Sequence, residues 1–149
     1  MPITPGPLRT EIHSGPLTAT LLPLLQARSF VQLATVLNDR AQGGANVDEV
    51  AVTARQILGC LAGSEYLALT AAQRQLFDLI ITEAAQNGAP IQSAAFRNLI
   101  LTAIPASAPT TRSNLAALQS RQGSRIEILF GAGERIDESL LASWYTVLI

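Results

Sequence analysis

Ser124-Arg125-Ile126-Glu127-Ile128-Leu129-Phe130-Gly131, then Ala132-Gly133-Glu134-Arg135, then Ile136-Asp137-Glu138-Ser139-Leu140-Leu141-Ala142, carries the clearest structural signals in this chain. A short amphipathic helical turn stops at Gly131, where glycine supplies the positive φ of a helix C-cap. A tight glycine-containing link follows, and a second helix starts at Asp137. Ile126–Phe130 alone is open to two readings, because a short apolar run suits a strand as well as a helical turn. Beyond it, Leu140, Leu141, Trp144 and Leu148 form one stripe, with Tyr145 on its flank.

Working back from this module, helical signals recur. Thr110 or Thr111 opens a helix with Leu115 and Leu118. Ser93 caps Ala94–Ile104, which has Phe96, Leu99, Ile100 and Ala103 on its inner face. Thr70-Ala71-Ala72-Gln73 has the form of a capping box, and the helix behind it carries Leu76, Phe77, Ile80, Ile81 and Ala84. Asn46, with Asp48 and Glu49 in the following turn, reads as the cap of another helix. Its stripe is Val47, Val50, Ala54, Ile57, Leu58 and Leu61, and Gly63 stops it. Ser29 caps Phe30–Ala41, and a short helix spans Leu17–Arg28, kinked or started at Pro23. The first sixteen residues hold Pro2, Pro5, Pro7 and Pro16. Proline fixes φ and removes a donor, so residues 1–16 read as an extended arm. The expected fold is all-α: a compact bundle of about six to eight short helices over 17–149 as a single domain, with that Pro-rich arm.

Composition narrows the function classes. The chain has 149 residues, of which 48% are hydrophobic and 14% charged, with a net charge of −1. A chain of this size builds a core without disulfides or metals. Its charged fraction lies well below the usual value of about 25%, so apolar surface is left over for contact with partners. All ten basic residues are Arg, spread from Arg9 to Arg135. A nucleic-acid binder needs a basic stripe to neutralise phosphates, and none is present. The N-terminus has no signal-peptide pattern, and Leu17–Leu25 is too short to span a membrane. Cys60, the single cysteine, reads as a small buried hydrophobe.

No catalytic, cofactor or metal constellation emerges. His13 is the only histidine and stands beside Glu11 and Ser14, but an arm supplies neither the rigid frame nor the oxyanion hole of a triad. One histidine with scattered carboxylates is too few for a metal cage. Asp48-Glu49 and Asp137-Glu138 are adjacent pairs whose side chains diverge on a helix, and capping accounts for them. Gly131-Ala132-Gly133 matches no phosphate loop, and without Lys there is no Walker lysine. A helix–turn–helix reading of the C-terminal module fails on charge, since the second helix runs into Trp144, Tyr145 and Leu148 with no base after Arg135.

Thr111-Arg112-Ser113-Asn114-Leu115, then Ser124-Arg125 with Glu127, Phe130-Gly131 and a capped final helix, resembles a group of small tailed-bacteriophage proteins. Their C-termini carry a Ser-Arg-x-Glu-x-x-(Phe/Leu)-Gly segment followed by a short helix. The likeness is best over Thr110–Ala142. It departs at Ile126, where that group more often has Ala. The resemblance implies a virion-associated protein, assembled in the host cytoplasm, with Arg125 and Glu127 structural. Because i,i+2 positions do not face each other on a helix, separate partners are expected for these two.

The expectation is therefore a non-enzymatic virion structural protein of the tail, neck or baseplate. It would act through homo-oligomeric packing and contacts with other phage structural proteins, without cofactor, membrane or nucleic acid. Trp and Tyr are enriched at interface hot spots. The candidate contact residues are Pro5, Pro7, Arg9 and His13 of the arm, Arg125, and Trp144, Tyr145 and Leu148 of the apolar end. The alternative is a small helical regulatory or adaptor module that binds protein or DNA.

Overall fold

The computed structural model describes residues 2–149. They form eleven α-helices, a 3-10 turn and one two-stranded sheet, so the protein is mostly helical rather than strictly all-α. The strands are β1 (Ala45–Asp48) and β2 (Ser120–Gly123), which pair with each other. Contacts divide the chain into two compact units where the sequence suggests one domain over 17–149. The first comprises residues up to Val47 together with Gln122–Ile149, and the second is Asp48–Arg121. Each has its own apolar cluster.

The first unit opens with α1 (Pro5–Ser14), which corrects the expected extended arm. Its prolines lie where a helix tolerates them. The N–H groups of the first turn have no intrahelical partner, so Pro5 at the first position and Pro7 two residues on remove nothing the helix uses. Pro5 also presets φ for the helix. Pro16 falls just beyond Gly15, where the helix has ended. Leu8 and Ile12, one turn apart, point into the core with no exposed surface.

Next come α2 (Thr18–Gln26) and α3 (Phe30–Asn38). Their link is a Schellman turn: Ser29 N–H donates to Leu24 O at 2.9 Å and Arg28 N–H to Leu25 O at 2.9 Å. Arg28 occupies its left-handed position, with φ +56°. Glycine is the usual residue there. A 3-10 turn, Arg40–Gln42, replaces the expected last turn of α3, because Asp39 Oδ1 caps Ala41 N–H at 2.9 Å. The unit is completed by α9 (Arg125–Phe130), α10 (Glu138–Ser143) and α11 (Tyr145–Leu148). Leu21, Leu25, Leu33, Leu37, Ile126 and Leu141 are fully buried among them. Each such side chain contributes about 1.5–3 kcal/mol by leaving water.

The second unit contains α4 (Ala54–Leu58), α5 (Gly63–Leu67), α6 (Ala71–Asn87), α7 (Ala94–Ala103) and α8 (Pro109–Ala117). The boxes at Thr70 and the cap at Ser93 form as the sequence indicates: Thr70 Oγ1 accepts from Gln73 N–H at 3.2 Å and Ser93 Oγ from Phe96 N–H at 3.4 Å. The helix expected from Asn46 does not. Residues 45–48 are strand, Val52 bridges Ala89, and Thr53 caps the short α4 instead. Val47, Val50, Val52 and Thr53 are β-branched, which lowers helix propensity and favours extended backbone. Asp48 and Glu49 are accordingly not first-turn acids. The Glu49 carboxylate pairs with Arg121 Nε at 2.7 Å, and its N–H donates to Gln119 O at 2.9 Å. Ile57, Phe77, Ile80, Ile91, Ile100, Ile104 and Leu115 form the core of this unit.

Candidate functional site

The residues of the Ser-Arg-x-Glu-x-x-Phe-Gly segment converge in the first unit. Ser124 caps α9: its Oγ accepts from Glu127 N–H at 3.2 Å, and its own N–H donates to Glu127 Oε1 at 3.3 Å. Arg125 turns away from Glu127 and holds Glu11 of α1, Nε to Oε1 at 2.6 Å and Nη2 to Oε2 at 2.9 Å. Its remaining terminal nitrogen donates to Gly43 O at 2.7 Å. Glu127 is buried and accepts from Gly133 N–H at 2.8 Å and Arg40 Nε at 3.1 Å. Phe130 enters the core and Gly131 turns the chain with φ +116°. The two charged residues thus have separate partners, as the spacing requires. The segment fastens α1, the turn after α3 and the link before α10 to one another.

Close backbone approach makes this possible. Gly43 has an ordinary helical φ of −67°, yet a Cβ there would run into the carbonyl oxygen of Gly123. A Cβ on Gly123 would lie 2.6 Å from Val47 Cγ1. Glycine is needed at 43 for space, not for conformation. Gly15 is similar, since a Cβ would press on the Glu11 carbonyl oxygen and lie 2.7 Å from its carboxyl carbon.

Beside this network the first unit has an open cleft of about 650 Å³, bounded by α3 and by Arg135–Glu138. Its floor is fixed by Asn38, whose amide donates to Ile136 O at 2.7 Å and accepts from Ile136 N–H at 3.0 Å. Asp39, Asp137 and Glu138 face it with one base, Arg135. Two of these acids are engaged locally. Asp39 caps the 3-10 turn, and Asp137 accepts from Ser139 Oγ and Leu140 N–H, both at 2.7 Å. The Ser139 hydroxyl, then the Leu140 amide, hold the Asp137 carboxyl below its usual value despite some desolvation.

The candidate contact residues separate into two sets. Pro7 and Arg9 are exposed on α1, and Pro5 is partly so. His13 Nε2 donates to Leu148 O at 2.7 Å, tying α1 to α11. Leu148, another of the candidate contact residues, is fully buried within this unit, and Arg125 is held internally. Leu148 completes the stripe of Leu141, and Arg125 answers a buried carboxylate. Trp144 and Tyr145 are half-buried against the same core. The Tyr145 ring meets Phe30 edge-on at 6.0 Å and carries the Arg28 guanidinium at 4.6 Å.

The sequence reading missed the exposed apolar side chains. Val31, Val147 and Ile149 stand in water on the first unit, as do Val50, Leu58, Leu67, Leu79, Leu99 and Leu101 on the second. Leu99, expected on the inner face of its helix, and Val50 and Leu58, expected in a buried stripe, are exposed instead, and Leu79 stands on the outer face of α6. In the second unit Glu65 accepts from Thr110 N–H, Thr111 N–H and Thr111 Oγ1 at 2.7–3.1 Å, which binds α5 to the start of α8. Cys60 is buried, as expected, and burial pushes its thiol up.

Among the described residues no group of three or more His, Cys, Asp or Glu is placed to hold a metal, and no helix is long and apolar enough to cross a membrane. Comparison with family models, with curated proteins and with solved structures finds no match.

Proposed function

We propose that the chain is a structural protein of tailed-phage virions, of the tail, neck or baseplate, acting without catalysis through packing against copies of itself and other virion proteins. The observation that carries this reading is its exposed apolar surface. Leu67 is 72% exposed and Leu79 67% in a chain of only 14% charged residues. Isolated exposed leucines are ordinary, but surface of this kind with so little charge around it favours association. The internal engagement of Arg125 and Glu127 agrees with the structural role implied by the phage resemblance. Arg125 and Arg121 are likewise held in ion pairs within their own units rather than presented together as a basic stripe.

Light scattering coupled to size exclusion tests the oligomeric part, and incorporation of tagged protein into phage particles tests the virion part. A discrete oligomer together with incorporation supports the reading. A strict monomer at high concentration that never joins particles removes it.

A further inference from the structure

The second unit contains a small pocket of about 110 Å³ among α7, α8 and the chain that precedes α7. Ile91, Ile100, Leu101 and Leu115 supply its apolar wall, and Arg97, Arg112 and Gln119 also line it. No acid does. Arg112 is fixed, with Nε donating to Ile104 O at 2.8 Å and Nη2 to Leu101 O at 3.2 Å. The side chains of Arg97 and Gln119 have no hydrogen bond or ion pair among the described residues.

We propose that this pocket receives an aliphatic side chain of a partner polypeptide that carries a carboxylate beside it. The size selects the side chain. A cavity of about 150 Å³ takes benzene, so this smaller one suits a branched aliphatic group better than an aromatic ring. The charge selects the neighbour. Two guanidiniums with no acid among them attract an anion, and the planar fork of Arg97 matches a carboxylate in particular, while Arg112 adds its charge. The carboxamide selects a polypeptide over a free acid. An amide side chain pairs with both backbone groups of a residue, as Asn38 does with the N–H and C=O of Ile136 in this same protein, and Gln119 is available to do so. The proposal goes beyond the virion reading and does not depend on it.

The test uses the full chain and fluorescently labelled, end-blocked hexapeptides, read by anisotropy. A peptide with a central Leu-Asp should bind, and its Leu-Asn counterpart should bind about fivefold more weakly. Arg97→Gln should weaken the Leu-Asp peptide by a similar factor and erase the difference between the two. The Arg97 side chain makes no hydrogen bond or ion pair among the described residues, and circular dichroism verifies the fold of the variant. Ala116 of α8 also lines the pocket, so Ala116→Leu, which fills it, should abolish binding of both peptides. Equal affinity for Leu-Asp and Leu-Asn, no binding up to about 1 mM, or free isovalerate binding as tightly as the peptide would each overturn the proposal. Failure of the chain to join particles, with peptide binding intact, would remove only the virion reading.

Discussion

Arg125 grips both carboxylate oxygens of Glu11, a residue 114 positions away in the chain, with only 13% and 5% of the two side chains exposed. A buried pair of this kind adds little over a well-packed apolar pair, but losing one member is costly because the other charge remains buried. Arg125→Ala should therefore destabilise the protein by about 3–5 kcal/mol. Arg125→Lys should fall between, since an ammonium cannot reproduce the fork. Urea unfolding measures both, and near-equal stability of Ala and Lys variants would contradict the bidentate geometry.

Gly43 and Gly44 make an internal contrast. Gly44 has φ +78° and open space around it, while Gly43 has an ordinary φ and the Gly123 carbonyl in the way. Gly44→Ala should cost about 1 kcal/mol from backbone strain. Gly43→Ala should cost about 3 kcal/mol because two backbones must part. Thermal unfolding of the two variants reports the order, and a reversal would mean that conformation rather than space sets the requirement.

Arg28 sits where glycine is customary and lies over the Tyr145 ring. Arg28→Ala forfeits the ring contact and keeps the strained φ. Arg28→Gly forfeits the same contact but relieves the strain. The glycine variant should be more stable than the alanine variant by about 1 kcal/mol. Equal denaturation midpoints would show that the left-handed turn carries no strain.

Asp137 titrates below the ordinary aspartate value of 3.8 because Ser139 and Leu140 donate to its charged form. Its folded pKa is depressed, so its contribution to stability is present above the unfolded value and is lost as pH falls through the folded one. Ser139→Ala should move the Asp137 carboxyl resonance, followed by carbon NMR from pH 7 down to pH 2, toward the ordinary value. An unchanged midpoint would show that the hydroxyl does not set it.

What the sequence made legible was local. Ser124, Thr70, Ser93 and Asp137 each cap a helix within three residues of their bonding partners, so type and spacing suffice. The errors came where distant residues or position within the helix prevailed. Val52 reads as helix interior but bridges Ala89, whose approach cannot be seen from residues 46–61. Pro5 and Pro7 read as an arm until their place in the first turn is counted. At the candidate sites, the sequence singled out Arg125 and Glu127 but did not identify Glu11, Arg40 or Gly133 as their partners, because contacts made through folding leave no spacing signature. Leu148 and Trp144 shared a stripe on paper, yet one is fully buried and the other half-buried.

The first unit draws on two stretches separated by the whole of the second. During synthesis the ribosome must therefore release residues 48–121 before it supplies the C-terminal partners of α1. Until Arg125 and Leu148 emerge, Glu11 and His13 lack their matches, and the cluster of Leu8, Ile12, Leu21 and Leu33 lacks the cover of Ile126, Leu141 and Leu148. The inserted stretch carries its own complete apolar cluster and can settle first. A nascent chain of this protein should thus be half mature and half vulnerable for as long as translation of its final segment takes.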